Sequence, residues 1–288
     1  MFKNIIKSIC WFSYYFFLQT FGMIGVFLFD LFTQRLTFSN LDDINVVMEE
    51  LTTYLLAIAV PSLIVSSVLF ILTFMLYKLI RKHKFDFKTV ESHKASFMVC
   101  FGFTLNVLLS LILTIVISFL PKGLTDSLNL STDLVLAGQP LWVLLLGTGI
   151  LCPIMEELVF RYGICGTMAR SNPKVALIVS SVIFGIVHGN VIQGVYATIL
   201  GLIFGIIYLK YRNIWYPALI HMAINSSSVI LSCLGLDWLM IIFLIVGVGG
   251  IVYLTNLHPE LKDIFKKEPA KITENENEDP SFDSQNIL

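Results

Sequence analysis

Three short motifs hold the groups able to do chemistry: Glu156-Glu157-x-x-x-Arg161, Phe184-x-x-x-His188 and His221-x-x-x-Asn225. They set two carboxylates, two imidazoles, a guanidinium and a carboxamide inside otherwise apolar stretches. Ionisable groups at membrane depth are costly unless paired, so their presence where Leu or Ile would serve is a functional-site hypothesis. Hydrolysis needs such groups: a base, a proton carrier and hydrogen-bond donors for an oxyanion.

Helical spacing sorts them. Residues four apart share a helix face, whereas adjacent residues diverge by about 100°. Glu157 and Arg161 are four apart with the acid first, so they are expected to pair. Glu156 is turned away from that axis and keeps no local cation, which leaves it free to take a proton from water. His221 and Asn225 also share a face, so an imidazole N–H and a carboxamide N–H could point at one oxygen, as in an oxyanion hole. The alternative for Asn225, which precedes Ser226, Ser227 and Ser228, is that it joins helices. Phe184, four residues before His188, is placed to pack on that imidazole and keep the site dry.

The other three histidines, His83, His93 and His258, fall in polar loops or the tail and read as solvated surface groups. Other intramembrane chemistries lack their motifs: there is no His-Glu-x-x-His and no Gly-x-Ser-x-Gly. Cys152 lies one turn before Glu156, but an apolar setting makes a thiol a poor nucleophile. The five cysteines are scattered, with no Cys-x-x-Cys pair, so neither a disulfide framework nor a thiolate metal site is indicated.

The elements that position these groups are membrane helices. Of 288 residues, 56% are hydrophobic and 14% charged, against roughly 25% charged in soluble domains, and the mean hydropathy is +0.82. This composition is that of an all-α, polytopic integral membrane protein. About eight spans are expected, near residues 9–33, 54–80, 96–120, 140–160, 175–190, 192–209, 215–233 and 238–254. The first follows Lys3 and Lys7 but is longer than a signal-peptide core and lacks a small-residue cleavage site, so it reads as retained. Lys and Arg cluster at 81–88, 161–174 and 210–212. With eight crossings these loops and both termini fall on one side, the cytoplasmic side of the cell membrane by the positive-inside rule. The net charge of −1 shows no basic face for a nucleic acid. Residues 1–139 read as a scaffold, 140–233 as the catalytic helices, 234–258 as a last transmembrane helix and 259–288 as a polar, acidic, disordered cytoplasmic tail. Gly147, Gly149 and the Gly201-x-x-x-Gly205 pair would let helices approach closely.

The three motifs, in this order and about thirty residues apart, resemble those of the CPBP family, the CAAX-type prenyl endopeptidases and bacteriocin-processing enzymes also called Abi proteins. The resemblance covers roughly residues 140–233. It implies a CAAX-protease-like membrane peptidase of the glutamate type. In it Glu156 and His188 activate water, His221 and Asn225 stabilise the oxyanion, and Glu157 and Arg161 support them. No cofactor is implied, although two glutamates and two histidines could instead hold zinc. The expected partners are the lipid bilayer and a peptide or small membrane-protein substrate. A non-catalytic bacteriocin-immunity or regulatory protein of the same fold is the alternative, and a proton-relaying transporter a further one. A span ending near 160 would put Glu156 and His188 at opposite depths. The expected resolution is a fourth helix that continues through Arg161 towards Ala169.

Overall fold

The computed structural model describes residues 2–36, 39, 43–80, 89–126, 138–235 and 238–263. Among these, apart from one short turn of helix at 122–126 and a 3-10 helix at Pro259–Asp263, nine helices make up the molecule. They are α1 (Phe2–Phe32), α2 (Ile44–Ala57), α3 (Ala59–Ile80), α4 (Ser92–Ile117), α5 (Leu141–Ala169), α6 (Pro173–Ile186), α7 (Val191–Tyr211), α8 (Trp215–Leu234) and α9 (Trp238–Leu257). All but α2 and α6 are long and apolar enough to cross a membrane, giving 7 such helices among the described residues. The bundle is all-α, as the composition requires, and the count sits close to the eight expected.

Where the boundaries differ from expectation, local chemistry explains it. The span expected from 54 starts at Ala59, because a separate helix, α2, begins under an Asp43 cap that accepts from the Asn45 N–H at 3.0 Å and ends at Ala57, with Ile58 between the two helices. The fourth span does run on to Ala169. The fifth is only 14 residues long. Asn172 caps its start, accepting from the N–H groups of Lys174 and Val175 at 3.0 and 3.1 Å, with Pro173 at its first position. It ends before Gly189, whose φ of +70° suits only glycine cheaply, and Asn190 at once caps α7. At 1.5 Å per residue α6 is about 21 Å long, short of the roughly 30 Å of a hydrocarbon core. The α6–α7 turn therefore lies recessed within the bundle's depth.

The central element is α5, the most deeply buried of the spans. It is α-helical over Cys152–Glu157 and π-helical on either side, over Leu145–Leu151 and Leu158–Cys165. Pro153 has no N–H, so a carbonyl one turn back loses its backbone partner. Two α8 side chains donate there, Asn225 Nδ2 to the Thr148 carbonyl at 3.0 Å and Ser226 Oγ to that of Gly149 at 3.3 Å. Next to them, buried Asn106 of α4 donates to Ser227 Oγ at 2.9 Å and accepts from Ser228 Oγ at 2.7 Å. The serine run thus joins α8 to α5 and α4. Gly147 packs on Val60 and Ile64, while Gly201 and Gly205 lie against Ser181 and Leu177.

Contacts also show which helix ends lie together. Asn4 donates to Ser171 Oγ at 2.9 Å, the Lys78 ammonium lies over the Tyr162 ring at 5.1 Å, and the Glu91 N–H donates to the Tyr216 hydroxyl at 3.3 Å. His93 and His258 stack. The start of α1, the 170–172 turn, the α7–α8 turn and the end of α9 therefore share one end of the bundle. The basic stretch at 81–88 and the tail from 264 onward lie outside the described residues.

Close helix contact makes a specific expectation. At Gly185 of α6 an added Cβ would strike Thr198 Oγ1 and the Gly194 carbonyl of α7, whereas at Gly25 it would meet nothing within 4 Å. Gly185→Ala should cost about 1–3 kcal/mol by overpacking and lower the thermal midpoint in detergent, while Gly25→Ala leaves it unchanged or slightly raised.

Candidate active site

Glu156 and Glu157 occupy the α-helical turn between the two π-helical segments, and Arg161 sits in the second of these. Glu157 Oε2 receives Arg161 Nε at 3.0 Å, with both side chains fully buried. The other carboxylate oxygen, Oε1, is 3.1 Å from His221 Nδ1 on α8. A carboxylate paired with a guanidinium is ionised and can only accept, so the proton between Glu157 and His221 sits on Nδ1. His221 Nε2 is thereby turned to Glu156, 3.6 Å from its Oε2. That is just beyond direct hydrogen-bond reach, a separation that sites without substrate often show. Glu157, His221 and Glu156 form a chain in which one carboxylate orients the imidazole and the other faces its free nitrogen.

Aromatic rings enclose the chain. Phe204 of α7 stacks on His221 at 5.0 Å and 28°, and Phe184 of α6 meets the same ring edge-on at 5.7 Å. The Arg161 guanidinium lies over Phe184 at 4.8 Å and Phe204 at 5.7 Å, while its two terminal nitrogens make no hydrogen bond among the described residues. Its charge is held by one carboxylate and two ring faces.

His188 lies in the turn after α6 rather than inside a membrane helix, and is half-buried. Its Nδ1 is 2.7 Å from the Phe184 carbonyl, which can only accept, so Nδ1 carries the proton and Nε2 is left for exchange. Its ring meets Phe184 edge-on at 4.9 Å. Phe184 thus touches both imidazoles and the guanidinium. Thirteen residues separate Glu156 from the end of α5 and fifteen separate His188 from the start of α6, so both lie roughly 20 Å from the shared α5–α6 end. Asn225 is turned to α5 like His221, but one of its N–H groups is engaged by Thr148.

Two features escape the motif reading. Phe204 carries no local signal, because a Phe in an apolar span is ordinary. The freed carbonyls of α5 do have a signal, Pro153 two residues before Met155, which marks broken helical bonding at membrane depth.

Zinc in place of acid–base chemistry meets a geometric obstacle. The two glutamates address opposite nitrogens of His221 and Glu157 is committed to Arg161, so one ion cannot gather both carboxylates with that imidazole. Glu156 and one nitrogen each of His188 and His221 are what remains for a metal.

The fold and these buried groups define a polytopic helical membrane protein with a Glu–His site in its core. Residues 138–227 match the family described as Type II CAAX prenyl endopeptidase Rce1-like. YdiL of Bacillus subtilis (strain 168), described as a putative membrane peptidase, is 35% identical over 98 residues, 34% of this chain and 39% of that protein. The UPF0177 protein YxdF of Lactococcus lactis subsp. lactis (strain IL1403) is 37% identical over 78 residues, 27% of this chain and 43% of that protein. The aligned part is thus less than half of either relative. No solved structure matches the chain significantly. The matched segment contains all three motifs, so this part of the chain is similar to CAAX-type prenyl endopeptidases and to a protein described as a membrane peptidase, over about a third of the chain.

The pairing geometry predicts different fates for two carboxylate changes. Glu157→Gln strands a buried guanidinium and removes the acceptor of His221, and should cost about 3–5 kcal/mol. Adding Arg161→Met removes the stranded charge and should restore much of that loss. Thermal unfolding of the single and double variants in detergent measures both steps, and a fully stable Glu157→Gln protein would contradict the pairing.

Proposed function

We propose that the protein is an intramembrane endopeptidase that hydrolyses a peptide bond with activated water and forms no acyl-enzyme. The observation that supports it most is the Glu157–His221–Glu156 chain, in which a buried, charge-compensated carboxylate fixes the imidazole and leaves a second carboxylate uncompensated. Glu156 takes the proton as water adds to the scissile carbonyl carbon, and returns it to the leaving amine when the C–N bond breaks. His188, with Nε2 free, shares the activation of water from the half-buried side. While the oxyanion exists, the proton taken by Glu156 passes to His221 Nε2, 3.6 Å from Glu156 Oε2. This N–H and the second N–H of Asn225 stabilise the oxyanion before the proton returns through Glu156 to the amine. Glu157 and Arg161 hold His221, and Phe184 and Phe204 exclude bulk water. The substrate is a peptide or the end of a small membrane protein brought to membrane depth.

This reading makes Glu156→Gln a folded, binding-competent protein with turnover lower by about 10² to 10⁴, the usual weight of a general base. Comparative peptidomics of membranes from cells with wild-type and Glu156→Gln protein should show a cleaved product that disappears in the variant. Undiminished cleavage by the variant would remove Glu156 from the chemistry.

The shared end of the bundle, with Arg170 and Lys174, is proposed to face the cytoplasm of the cell membrane, together with both termini. In a variant cleared of native thiols, Lys174→Cys should resist an impermeant thiol reagent added to intact cells, while Arg35→Cys at the opposite end reacts. The reverse pattern would invert the topology.

A further inference from the structure

We propose that His93, His258 and Glu260 form a zinc site that ties the start of α4 to the end of α9, apart from the Glu157–His221 chain. His93 and His258 were expected to be solvated, and their side chains are 23% and 38% exposed. Their rings stack at 4.2 Å and 15°, which sets their in-plane lone pairs side by side, so shared ligation turns one imidazole out of the stack. Glu260 Oε1 lies 3.3 Å from His258 Nδ1 and 3.6 Å from His93 Nε2, and one ligand atom from each residue falls within 4.8 Å of the others. Zinc bonds of about 2.0–2.2 Å in a tetrahedron set ligand atoms about 3.3–3.6 Å apart. Two imidazoles and a carboxylate are a zinc donor set.

The cluster's ring nitrogens meet the Glu260 carboxylate at 3.3 and 3.6 Å without a hydrogen bond among the described residues. His93 Nε2 is buried and makes no hydrogen bond among the described residues, although Glu91 Oε2 is 3.4 Å away and Glu260 faces it from the other side. Lys94 sits on the other oxygen of Glu91, so its charge is directed away from the imidazoles. Protonating both histidines would set two imidazolium rings face to face, where like charges repel. A single divalent ion satisfies the two lone pairs and the carboxylate while both rings stay neutral. Glu91 Oε2 or a water completes the fourth position.

The location gives the site a job. Gly247 is the one buried residue of α9. It presses on Cys100 and Thr104 of α4, with Gly250 against Cys100. A helix held by a glycine seam gains a second fixed point at its end. That point adjoins Glu91, whose N–H donates to Tyr216 at the start of α8, the helix that carries His221.

The test uses the full-length protein in detergent, stripped with chelator and titrated with zinc chloride against a chromogenic zinc indicator. One zinc per chain is expected for wild type and for Glu156→Gln, with affinity reduced about tenfold or more in His258→Ala and in Glu260→Gln. Cobalt(II) added to the wild type should give the visible absorption of a four-coordinate ion, independently of how any variant folds. The proposal is overturned if wild type binds no zinc or shows no such cobalt spectrum. It is equally overturned if His258→Ala keeps wild-type affinity, or if Glu156→Gln abolishes binding, which would move the ion to the core.

Discussion

The arrangement depends on one buried anion. Glu157 has no exposed surface and its two oxygens are divided between Arg161 and His221. Such an ion pair gives little net stability over apolar packing, but breaking it is expensive because a charge is left behind. Its value is orientation. With Glu157 ionised and fixed, the tautomer of His221, the direction of its Nε2 and the position of Arg161 over two phenyl rings all follow. The aromatic shell belongs to the same constraint, since Phe184 and Phe204 supply ring faces to a guanidinium whose terminal nitrogens have no other partner among the described residues.

Keeping that anion in register with α8 requires α5 to be irregular. A uniform α-helix through Pro153 would leave a carbonyl unpaired at membrane depth, which lipid cannot satisfy. Here the helix widens into π turns on both sides of Cys152–Glu157, and Asn225 and Ser226 donate to the carbonyls of Thr148 and Gly149. Those bonds lock α8 to α5 one turn beyond His221. The same helix pair therefore sets both the polar seam and the Glu–His contact, and π-helical bulges are frequent where a helix carries a site.

The sequence made legible whatever depended on spacing of four within a single helix. The Glu157–Arg161 pair, the Phe184–His188 contact and the shared orientation of His221 and Asn225 towards α5 could all be read that way. So could the all-α architecture and the continuation of α5 to Ala169, because apolar length and paired charge are local properties. What could not be read is pairing between helices. Nothing in the chain says that His221 rather than His188 faces both glutamates, that Phe204 stacks on it, or that two histidines assigned to polar loops lie ring on ring. The π turns are equally hidden, only those before Pro153 having a local cause in its missing N–H, and α6 is shorter than its apolar stretch because Gly189 and Asn190 end it.

Adjacent residues with opposite environments follow from this geometry. Glu156 and Glu157 differ by one helical step, yet Glu157 is held by a cation and an imidazole N–H, while Glu156 faces the unprotonated nitrogen of the same ring across 3.6 Å. A rotation of about 100° separates the two directions. One direction ends on Arg161 and His221 Nδ1, and the other faces His221 Nε2, where the Glu156 side chain keeps 10% of its surface exposed. The recessed α6–α7 turn brings His188, half-buried, to a similar depth. Water reaching that depth would meet an uncompensated carboxylate and a free imidazole nitrogen, but not the carboxylate that holds the site together. Glu156, which keeps a little accessible surface, thus stands outside the ion pair on which the packing of α5, α6, α7 and α8 rests.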